Sequence, residues 1–294
     1  MSATIRSAAT ALRVHAQPND FGARISGVDL AAAAAAPERG SLFAELRALW
    51  LRYQVLAFPE QRLSNEALTA VTRCFGAVGS EPYLEGMAQA PEIVRIHRAA
   101  TEQATPFGTS WHSDWSFQAQ PPAATILYSR IVPPRGGDTC FADGIRAFDA
   151  LDSARQAQLR TLTALHSARR SYSPSGYFAT DRTPRSMRIR SDRSAYAVQE
   201  HPLIRTHPES GREALWVNPV YTIGIKELPG ATGQAMLERL CAHSTQPEYV
   251  YRHQWEPDML VIWDNRSVQH CATGGYDGYE RLMHRTTVAG DTPH

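Results

Sequence analysis

Two short motifs, far apart in the sequence, constrain the fold most strongly because they supply side chains that must converge. His112 and Asp114 lie two residues apart near the middle of the chain, and His270 lies close to its carboxyl end. On a strand, residues two apart point to the same face, so His112 and Asp114 can bind one metal ion while Ser113 points away. A third ligand must then come from a neighbouring strand, and His270 is the candidate.

These residue types indicate which metal chemistry to expect. Two imidazoles and one carboxylate form the ligand set that holds Fe(II) on one face and leaves the opposite positions open. Arg281 follows His270 by eleven residues, and a guanidinium near such a metal can bind a carboxylate through two parallel hydrogen bonds. The combination predicts an iron enzyme whose co-substrate is a 2-oxo acid.

Composition narrows the range of partners. Lys and Arg number 30 against 29 Asp and Glu, a formal net charge of +1, so no overall field recruits nucleic acid or an anionic membrane, and we expect a small-molecule substrate. No apolar run approaches the roughly 18 residues that span a bilayer. The four cysteines lack a zinc-binding spacing and favour a reducing compartment, so we expect a cytoplasmic protein.

Hydrophobic periodicity predicts many short strands interrupted by a few helices. Strands are predicted at 23–28, 53–58, 93–97, 123–132, 201–206, 215–218, 248–255 and 259–263, and helices at 41–52, 64–75, 144–151, 153–162 and 231–243. This order favours a mainly β fold with flanking helices (α+β), a double-stranded β-helix or distorted jelly roll, over a doubly wound α/β sheet. No Gly-rich nucleotide loop follows a strand, so an ATP or dinucleotide enzyme is not expected.

We expect one domain over residues 1–294, with three segments of less regular structure. Residues 1–18 are predicted to be frayed, with an organellar transit peptide as the alternative. Residues 98–110 and 169–200 lack periodicity and are predicted to be lid loops. The second of these could instead be an oligomer contact, and we expect a homo-oligomer, either a dimer or a tetramer.

Several strings carry a resemblance to a known family. The strings are WHSDWSF at 111–117, GGDT at 136–139, WDNRSVQH at 263–270 and RLMHRTT at 281–287. In this order they resemble the TauD/TfdA family of Fe(II)- and 2-oxoglutarate-dependent dioxygenases. The resemblance implies a distorted jelly roll with helices packed outside it, His112, Asp114 and His270 as iron ligands, and O2 and 2-oxoglutarate as co-substrates that yield succinate and CO2.

The same resemblance implies roles for three further residues. Thr139 and Arg281 match the positions that hold the distal carboxylate of 2-oxoglutarate, although Thr139 could merely begin a strand. Arg285 lies four residues after Arg281 and therefore on the same strand face. In family members with acidic substrates the equivalent arginine contacts the substrate anion, so Arg285 is a predicted substrate-binding residue, with a surface ion pair as the alternative.

A departure from the family pattern concerns the substrate. In the taurine-oxidising branch a histidine that binds the sulfonate precedes a proline, and here Glu81 stands before Pro82. A carboxylate facing a sulfonate in a poorly hydrated pocket is unfavourable, so taurine is not expected. Glu81 is expected to turn outward, or to pair with Arg98 or with a basic group on the substrate. Tyr83 and Trp115 are predicted to add aromatic surface to the substrate site.

Two other functions are compatible with parts of the pattern. A zinc hydrolase could use the same two histidines and one carboxylate to activate water, but it leaves Thr139 and Arg281 without a role. A non-catalytic jelly-roll protein could bind a small acid, but it has no need of open metal positions. The sequence therefore favours a dioxygenase that hydroxylates a small anionic organic substrate, such as an aryloxy or alkyl carboxylate or an alkyl sulfate.

Overall fold

An eight-stranded sheet forms the centre of the protein. The computed structural model describes residues 12–294. In their order across this sheet the strands are β1 (Arg13–Ala16), β2 (Ala23–Ser26), β3 (Val55–Phe58), β14 (Leu260–Asp264), β6 (Ala124–Ile131), β16 (Arg281–Val288), β5 (Ala90–Arg98) and β4 (Gly86–Met87). Neighbouring strands are antiparallel except β2 and β3, which are parallel.

Smaller sheets lie beside the large one. A three-stranded sheet contains β13 (Val250–His253), β7 (Thr139–Asp143) and β15 (Val268–Ala272), with β7 in the middle. A second contains β12 (Thr222–Ile225), β8 (Thr163–His166) and β9 (Gln199–Pro202), with β8 in the middle. The pair β10 (Ile204–Thr206) and β11 (Glu213–Leu215) completes the strands.

Helices cover the outside of the sheets. They are α1 (Leu30–Ala35), α2 (Arg39–Tyr53), α3 (Asn65–Phe75), α4 (Gly144–Asp149), α5 (Ser153–Leu159), α6 (Arg169–Tyr172), α7 (Tyr177–Thr180) and α8 (Ala231–Ser244). The predicted start of α3 is confirmed, because the Ala67 amide donates to the Ser64 hydroxyl at 3.1 Å and so gains the partner that the helix itself cannot supply. Among the described residues, no helix is long and apolar enough to cross a membrane.

The central strands are buried on both faces, because helices pack on one face of the large sheet and a smaller sheet packs on the other. On β3, Leu56 and Phe58 belong to the core beneath α1, α2 and α3, whereas Val55 and Ala57 belong to the core shared with the β13-β7-β15 sheet. The alternation repeats on β6 and β14, with Ile126, Tyr128, Leu260 and Ile262 in the helix-facing core and Leu127, Val261 and Trp263 in the inter-sheet core. This sheet-rich arrangement with outer helices confirms the predicted jelly-roll class.

Two predicted elements are corrected by changes of strand partner. Residues 201–206, predicted as one strand, form the ends of β9 and all of β10, because β9 pairs with β8 while β10 pairs with β11. Between them, the Leu203 amide donates to the Leu162 carbonyl at 3.0 Å. The strand predicted at 215–218 begins two residues earlier, as β11, and ends at Leu215, because only Glu213–Leu215 pair with β10.

The irregular segments are also more ordered than predicted. Residues 1–11 lie outside the described part of the chain, but residues 13–16 form β1 and pair with β2, so fraying to residue 18 is wrong. The backbone pairing compensates for side chains that are all exposed. The 169–200 segment contains α6, α7 and a 3-10 helix at Arg193–Tyr196, so it is a partly helical segment rather than an open loop.

Candidate active site

The three predicted metal ligands converge in the interior. One ligand atom from each of His112, Asp114 and His270 lies within 4.8 Å of the other two, and all three residues are buried. The Nε2 atom of His112 is 3.6 Å from Oδ1 of Asp114, and Nε2 of His270 is 3.9 Å from Oδ2. Small side-chain movements would let one ion bind all three atoms.

The backbone that joins the ligands is not the strand predicted for 112–114. His112 and His270 exchange two backbone hydrogen bonds, of 3.0 and 2.8 Å, in an isolated bridge. The chain then turns at Asp114, and Trp115 takes a φ of 48°, which is unfavourable for a bulky residue. The strand prediction is wrong because this turn, not side-chain alternation, directs the Asp114 carboxylate toward the two imidazoles.

The protonation states suit a divalent metal. Nδ1 of His112 lies 2.7 Å from the Ser110 carbonyl and so carries the proton, which leaves Nε2 free to ligate. Burial lowers the pKa of His270 to about 3, so its ring is neutral. Burial opposes ionisation of Asp114, but the Arg285 guanidinium and then the two histidines hold the pKa of Asp114 well below its usual range. The site therefore offers the neutral imidazole of His270, Nε2 of His112 and one carboxylate, which are the donor types that a divalent metal binds.

A chain of hydrogen bonds orients the Asp114 carboxylate. The Thr125 hydroxyl donates to Oδ2 of Asp114 at 2.6 Å, and the Asn265 amide donates to the Thr125 oxygen at 2.9 Å. Trp263 in turn donates to Oδ1 of Asn265 at 3.0 Å. Thr125 was not among the site residues predicted from the sequence. The sequence offered one indication of these orienting hydrogen bonds, which is Asn265 inside the WDNRSVQH string.

Arg285 lies between two carboxylates. Its Nη1 atom is 3.1 Å from Oδ1 of Asp114, and its Nε donates to Oε1 of Glu81 at 3.0 Å. Trp115 donates from its indole nitrogen to Oε2 of Glu81 at 2.8 Å. The remaining Nη2 atom of Arg285 is buried, and no atom of residues 12–294 forms a hydrogen bond with it.

Glu81 was expected to turn outward or to pair with Arg98, and both expectations are wrong. Glu81 points inward, and it does not pair with Arg98, whose guanidinium is 2.8 Å from Asp277. The physical reason is that Arg285 and the Trp115 indole together supply donors to both carboxylate oxygens of Glu81. An outward orientation would leave those buried donors unpaired.

Arg281 differs from Arg285 in that no carboxylate of the described residues lies close to its guanidinium. Its guanidinium is buried, its Nε donates to the Gly137 carbonyl at 3.2 Å, and no carboxylate of the described residues lies within 4.0 Å of it. Burial lowers the pKa of Arg281. Asp138 acts on Arg281 only from a distance, since it pairs with Arg252 at 2.7 Å. A buried cation without a counter-ion is unfavourable by several kcal/mol, which indicates an anionic ligand at this position.

Thr139 lies beside Arg281 in the same cavity. Arg281, Thr139 and the two histidine ligands all line this cavity, and Arg285 borders it as strand parity predicts. The Thr139 oxygen accepts a 3.0 Å hydrogen bond from Trp255. Its own hydroxyl proton is thereby left free to donate to a ligand.

A larger cavity of about 510 Å³ opens beside His112. Its wall is largely aromatic and includes Phe107, Tyr172, Phe178 and Tyr221. The four side chains predicted to bind substrate, Glu81, Tyr83, Trp115 and Arg285, are not among the lining residues. Tyr83 lies behind the wall and stacks on Tyr172 with ring centroids 4.5 Å apart. Direct substrate contact by these four residues stays a prediction.

The two segments predicted as lids form the rim of this cavity together. Both contribute lining residues, and they are joined by hydrogen bonds. Arg185 donates to the Thr105 carbonyl at 2.8 Å, and the Ser186 amide donates to the Glu102 carboxylate at 2.8 Å. A change in one segment would therefore affect the other.

A jelly roll with two histidines and one aspartate beside a buried arginine that has no carboxylate partner among the described residues defines the class of 2-oxo-acid-dependent oxygenases. The family model described as "Taurine catabolism dioxygenase TauD, TfdA family" matches residues 13–287. The chain belongs to this family and is a 2-oxoglutarate-dependent dioxygenase. This assignment decides against the zinc hydrolase and the non-catalytic binding protein.

Individual relatives agree with the family. The chain is 31% identical over 278 residues to the (S)-phenoxypropionate/alpha-ketoglutarate-dioxygenase of Sphingobium herbicidovorans, covering 92% of each chain. It is 33% identical over 286 residues to the alpha-ketoglutarate-dependent 2,4-dichlorophenoxyacetate dioxygenase of Cupriavidus pinatubonensis, covering 92% of this chain and 95% of the relative. The crystal structure of AAD-2 in complex with Mn(II) and N-oxalylglycine matches with a TM-score of 0.73 and 29% identity, over 96% of this chain and 99% of that one.

Proposed function

We propose that the enzyme binds Fe(II) through His112, Asp114 and His270 and 2-oxoglutarate through Thr139 and Arg281, and that it hydroxylates a small anionic organic substrate. The observation that carries the proposal is the buried Arg281 guanidinium, which has no carboxylate partner in the part of the chain that the structure describes. Its cavity also contains both histidine ligands. A dicarboxylate that spans from the metal to Arg281 would supply the missing counter-charge.

The chemistry of the donor set supports the co-substrate. N-oxalylglycine, present in the AAD-2 structure, has the same arrangement of two carboxylates and one oxo group as 2-oxoglutarate. In this chain the planar guanidinium of Arg281 can accept a carboxylate through two hydrogen bonds, and the Thr139 hydroxyl can donate a third. These contacts would orient the other end of the co-substrate toward His112 and His270.

The protein's own residues bind the metal and the co-substrate, orient them and exclude water from the site. Bound iron, with 2-oxoglutarate and O2, supplies the oxidising power, and the co-substrate leaves as succinate and CO2. Thr125 fixes the orientation of the Asp114 carboxylate, and Arg285 stabilises its charge. The rings of Trp263 and Phe141 pack 4.6 and 6.3 Å from the His270 ring, between centroids, and shield it from solvent. The chain thereby selects which substrate C–H bond comes close to the metal.

The substrate class is proposed from the relatives and from the site. Two relatives are named for aryloxy carboxylates, so an aryloxy or alkyl carboxylate is the first candidate and an alkyl sulfate the second. Glu81 stands where the taurine-oxidising branch has the histidine that binds the sulfonate, so taurine is not proposed as the substrate. We also propose one catalytic domain over 1–294, a dimer or tetramer, and a cytoplasmic location.

Anaerobic titration with Fe(II) and 2-oxoglutarate tests the proposal. We expect the weak visible absorption band of a metal-chelated 2-oxo acid, its loss on exposure to O2, and release of succinate. The Asp114→Ala variant and Zn(II)-loaded protein are the controls, and neither should show the band. Absence of the band from the Fe(II)-loaded wild type, in protein that retains its fold, would contradict the proposal.

A further inference from the structure

Two cysteines lie opposite each other on the small sheet that carries His270. Cys140 of β7 and Cys271 of β15 are direct register partners, and both are free thiols that are partly exposed. Phe141 and His270 form the next pair in the register and are buried in the interior. Because side chains alternate along a strand, both cysteines lie on the outer face of this sheet.

The backbone hydrogen bonds set the distance between the two cysteines. His270 exchanges its backbone hydrogen bonds with His112, so Cys271, the next residue, directs its own N–H and C=O toward β7. Cys140 and Cys271 are thus a hydrogen-bonded antiparallel pair, in which the Cα atoms lie about 5.5 Å apart. That separation is within the range of roughly 4.4–6.8 Å that disulfides require.

The surroundings of Cys140 favour its reaction as a thiolate. Arg252 is the register partner of Cys140 on β13. The Cys271 thiol and then the Arg252 guanidinium lower the pKa of Cys140, against the opposing effect of burial. Burial instead raises the pKa of Cys74, and it raises the pKa of Cys241 to about 12. Since the thiolate is the form that attacks a peroxide, Cys140 is the thiol that reacts first.

We propose that Cys140 and Cys271 form a reversible disulfide that lowers the activity of the enzyme. A hydroperoxide is the oxidant. With hydrogen peroxide, the Cys140 thiolate attacks the O–O bond, becomes a sulfenic acid and releases hydroxide, which takes up a proton to give water. The Cys271 thiol then attacks the Cys140 sulfur, so the S–S bond forms, the S–O bond breaks and a second water leaves. Two thiols and one hydrogen peroxide thus give one disulfide and two waters.

The disulfide acts on the site through the residues beside it. Cys271 follows His270, and Cys140 follows Thr139. Facing Cβ atoms of an antiparallel pair lie about 4.5–5.5 Å apart, whereas a disulfide needs about 3.8 Å, so the two strands must distort locally. The distortion shifts His270 and Thr139, and a disulfide formed under strain is readily reduced again. The effect on activity rests on the proposed function, whereas formation of the disulfide does not.

Peroxide oxidation of the full chain in its metal-free form tests the disulfide. Hydrogen peroxide treatment is followed by catalase and N-ethylmaleimide, and the peptides are mapped by mass spectrometry without reduction. We expect a linked pair of peptides containing Cys140 and Cys271 that dithiothreitol separates, with Cys74 and Cys241 alkylated as free thiols. Cys74→Ser and Cys241→Ser are the matched controls and should form the same linked pair, whereas Cys140→Ser and Cys271→Ser should not.

Fe(II) binding tests the effect of the disulfide on the site. After removal of the peroxide, oxidised wild type should bind Fe(II) about 10- to 100-fold more weakly than reduced wild type, the range for loss of support to a metal ligand. Reduction with dithiothreitol, followed by its removal, should restore the affinity. The same peroxide treatment should leave Fe(II) binding by Cys140→Ser unchanged.

The outcomes separate this inference from the proposed function. If wild type that keeps its fold yields no linked pair, or links other cysteines or two molecules, the disulfide is overturned. If the linked pair forms but Fe(II) affinity does not change, the effect on activity is overturned. Failure of the proposed function is a different result, in which reduced wild type shows no metal and 2-oxoglutarate absorption band while the linked pair still supports the disulfide.

Discussion

The Arg285 guanidinium joins the Asp114 carboxylate, at 3.1 Å, to the Glu81 carboxylate, at 3.0 Å. All three side chains are almost completely enclosed. The proposed metal ligand Asp114 is therefore part of a buried charge cluster that includes Glu81, which lies more than thirty positions earlier in the chain. Loss of one member leaves the others without compensation in a medium of low polarity.

We predict that Glu81 and Arg285 are strongly coupled in stability. In a double-mutant cycle of Glu81→Gln and Arg285→Gln, measured by urea unfolding of the metal-free protein, the coupling should be about 1.5–3 kcal/mol, since both groups are desolvated. The exposed pair of Arg24 and Glu256, at 2.7 Å, is the matched control and should couple by less than about 1 kcal/mol. Equal coupling in the two cycles would argue against a buried charge cluster.

Each of the single variants His112→Ala, Asp114→Ala and His270→Ala should lose turnover and bind Fe(II) weakly while keeping its fold. Two of the three ligands cannot hold the ion in place. Metal content after dialysis and circular dichroism are the measurements. His15→Ala removes an exposed histidine of β1 and should retain both metal and activity. Full activity in any ligand variant would contradict the metal assignment.

Arg281→Ala should raise KM for 2-oxoglutarate by about 10- to 100-fold, because a charged contact of roughly 1.5–3 kcal/mol is lost. KM for the prime substrate should change little. Thr139→Val should act in the same direction but more weakly, because one neutral donor is lost. Arg95→Ala, an exposed arginine of β5, is the control. An unchanged 2-oxoglutarate dependence in Arg281→Ala would mean that the co-substrate carboxylate binds elsewhere.

Thr125→Val should weaken Fe(II) binding by about 10- to 100-fold, because the hydrogen bond that orients Asp114 is lost. Thr287 faces Thr125 across the β6 and β16 pairing, and its buried hydroxyl has no hydrogen-bond partner among the residues that the structure describes. Thr287→Val is therefore a control of the same chemistry and should bind Fe(II) normally. Calorimetric titration of the two variants compares them, and similar affinities would remove the positioning role from Thr125.

A buried histidine away from the metal ligands should make stability depend on pH. Burial lowers the pKa of His253 from 6.5 to about 4, so between these values the unfolded chain binds a proton that the folded chain does not. The contribution is fully present above pH 6.5 and is lost as pH falls toward 4, by up to about 3 kcal/mol. Urea unfolding of His253→Gln should show a flatter pH dependence than wild type, and His15→Gln should match wild type.

Much of the site could be predicted from the sequence because it depends on local rules. His112, Asp114, His270 and Arg281 belong to short strings whose residue types suit a metal and a carboxylate. The strand pattern indicated the jelly roll because alternation of buried side chains is a property of each strand by itself. The same parity brought Arg281 and Arg285 to one cavity.

The tertiary structure decided which charges are compensated. The turn at Asp114, the inward orientation of Glu81 and the contact of Thr125 with Asp114 all depend on elements that meet only after the sheets pack. From the sequence alone, Arg281 and Arg285 are equivalent cations on one strand. Folding surrounds Arg285 with two carboxylates and, within residues 12–294, leaves Arg281 with none, because electrostatic partners are selected by distance in space rather than by separation along the chain.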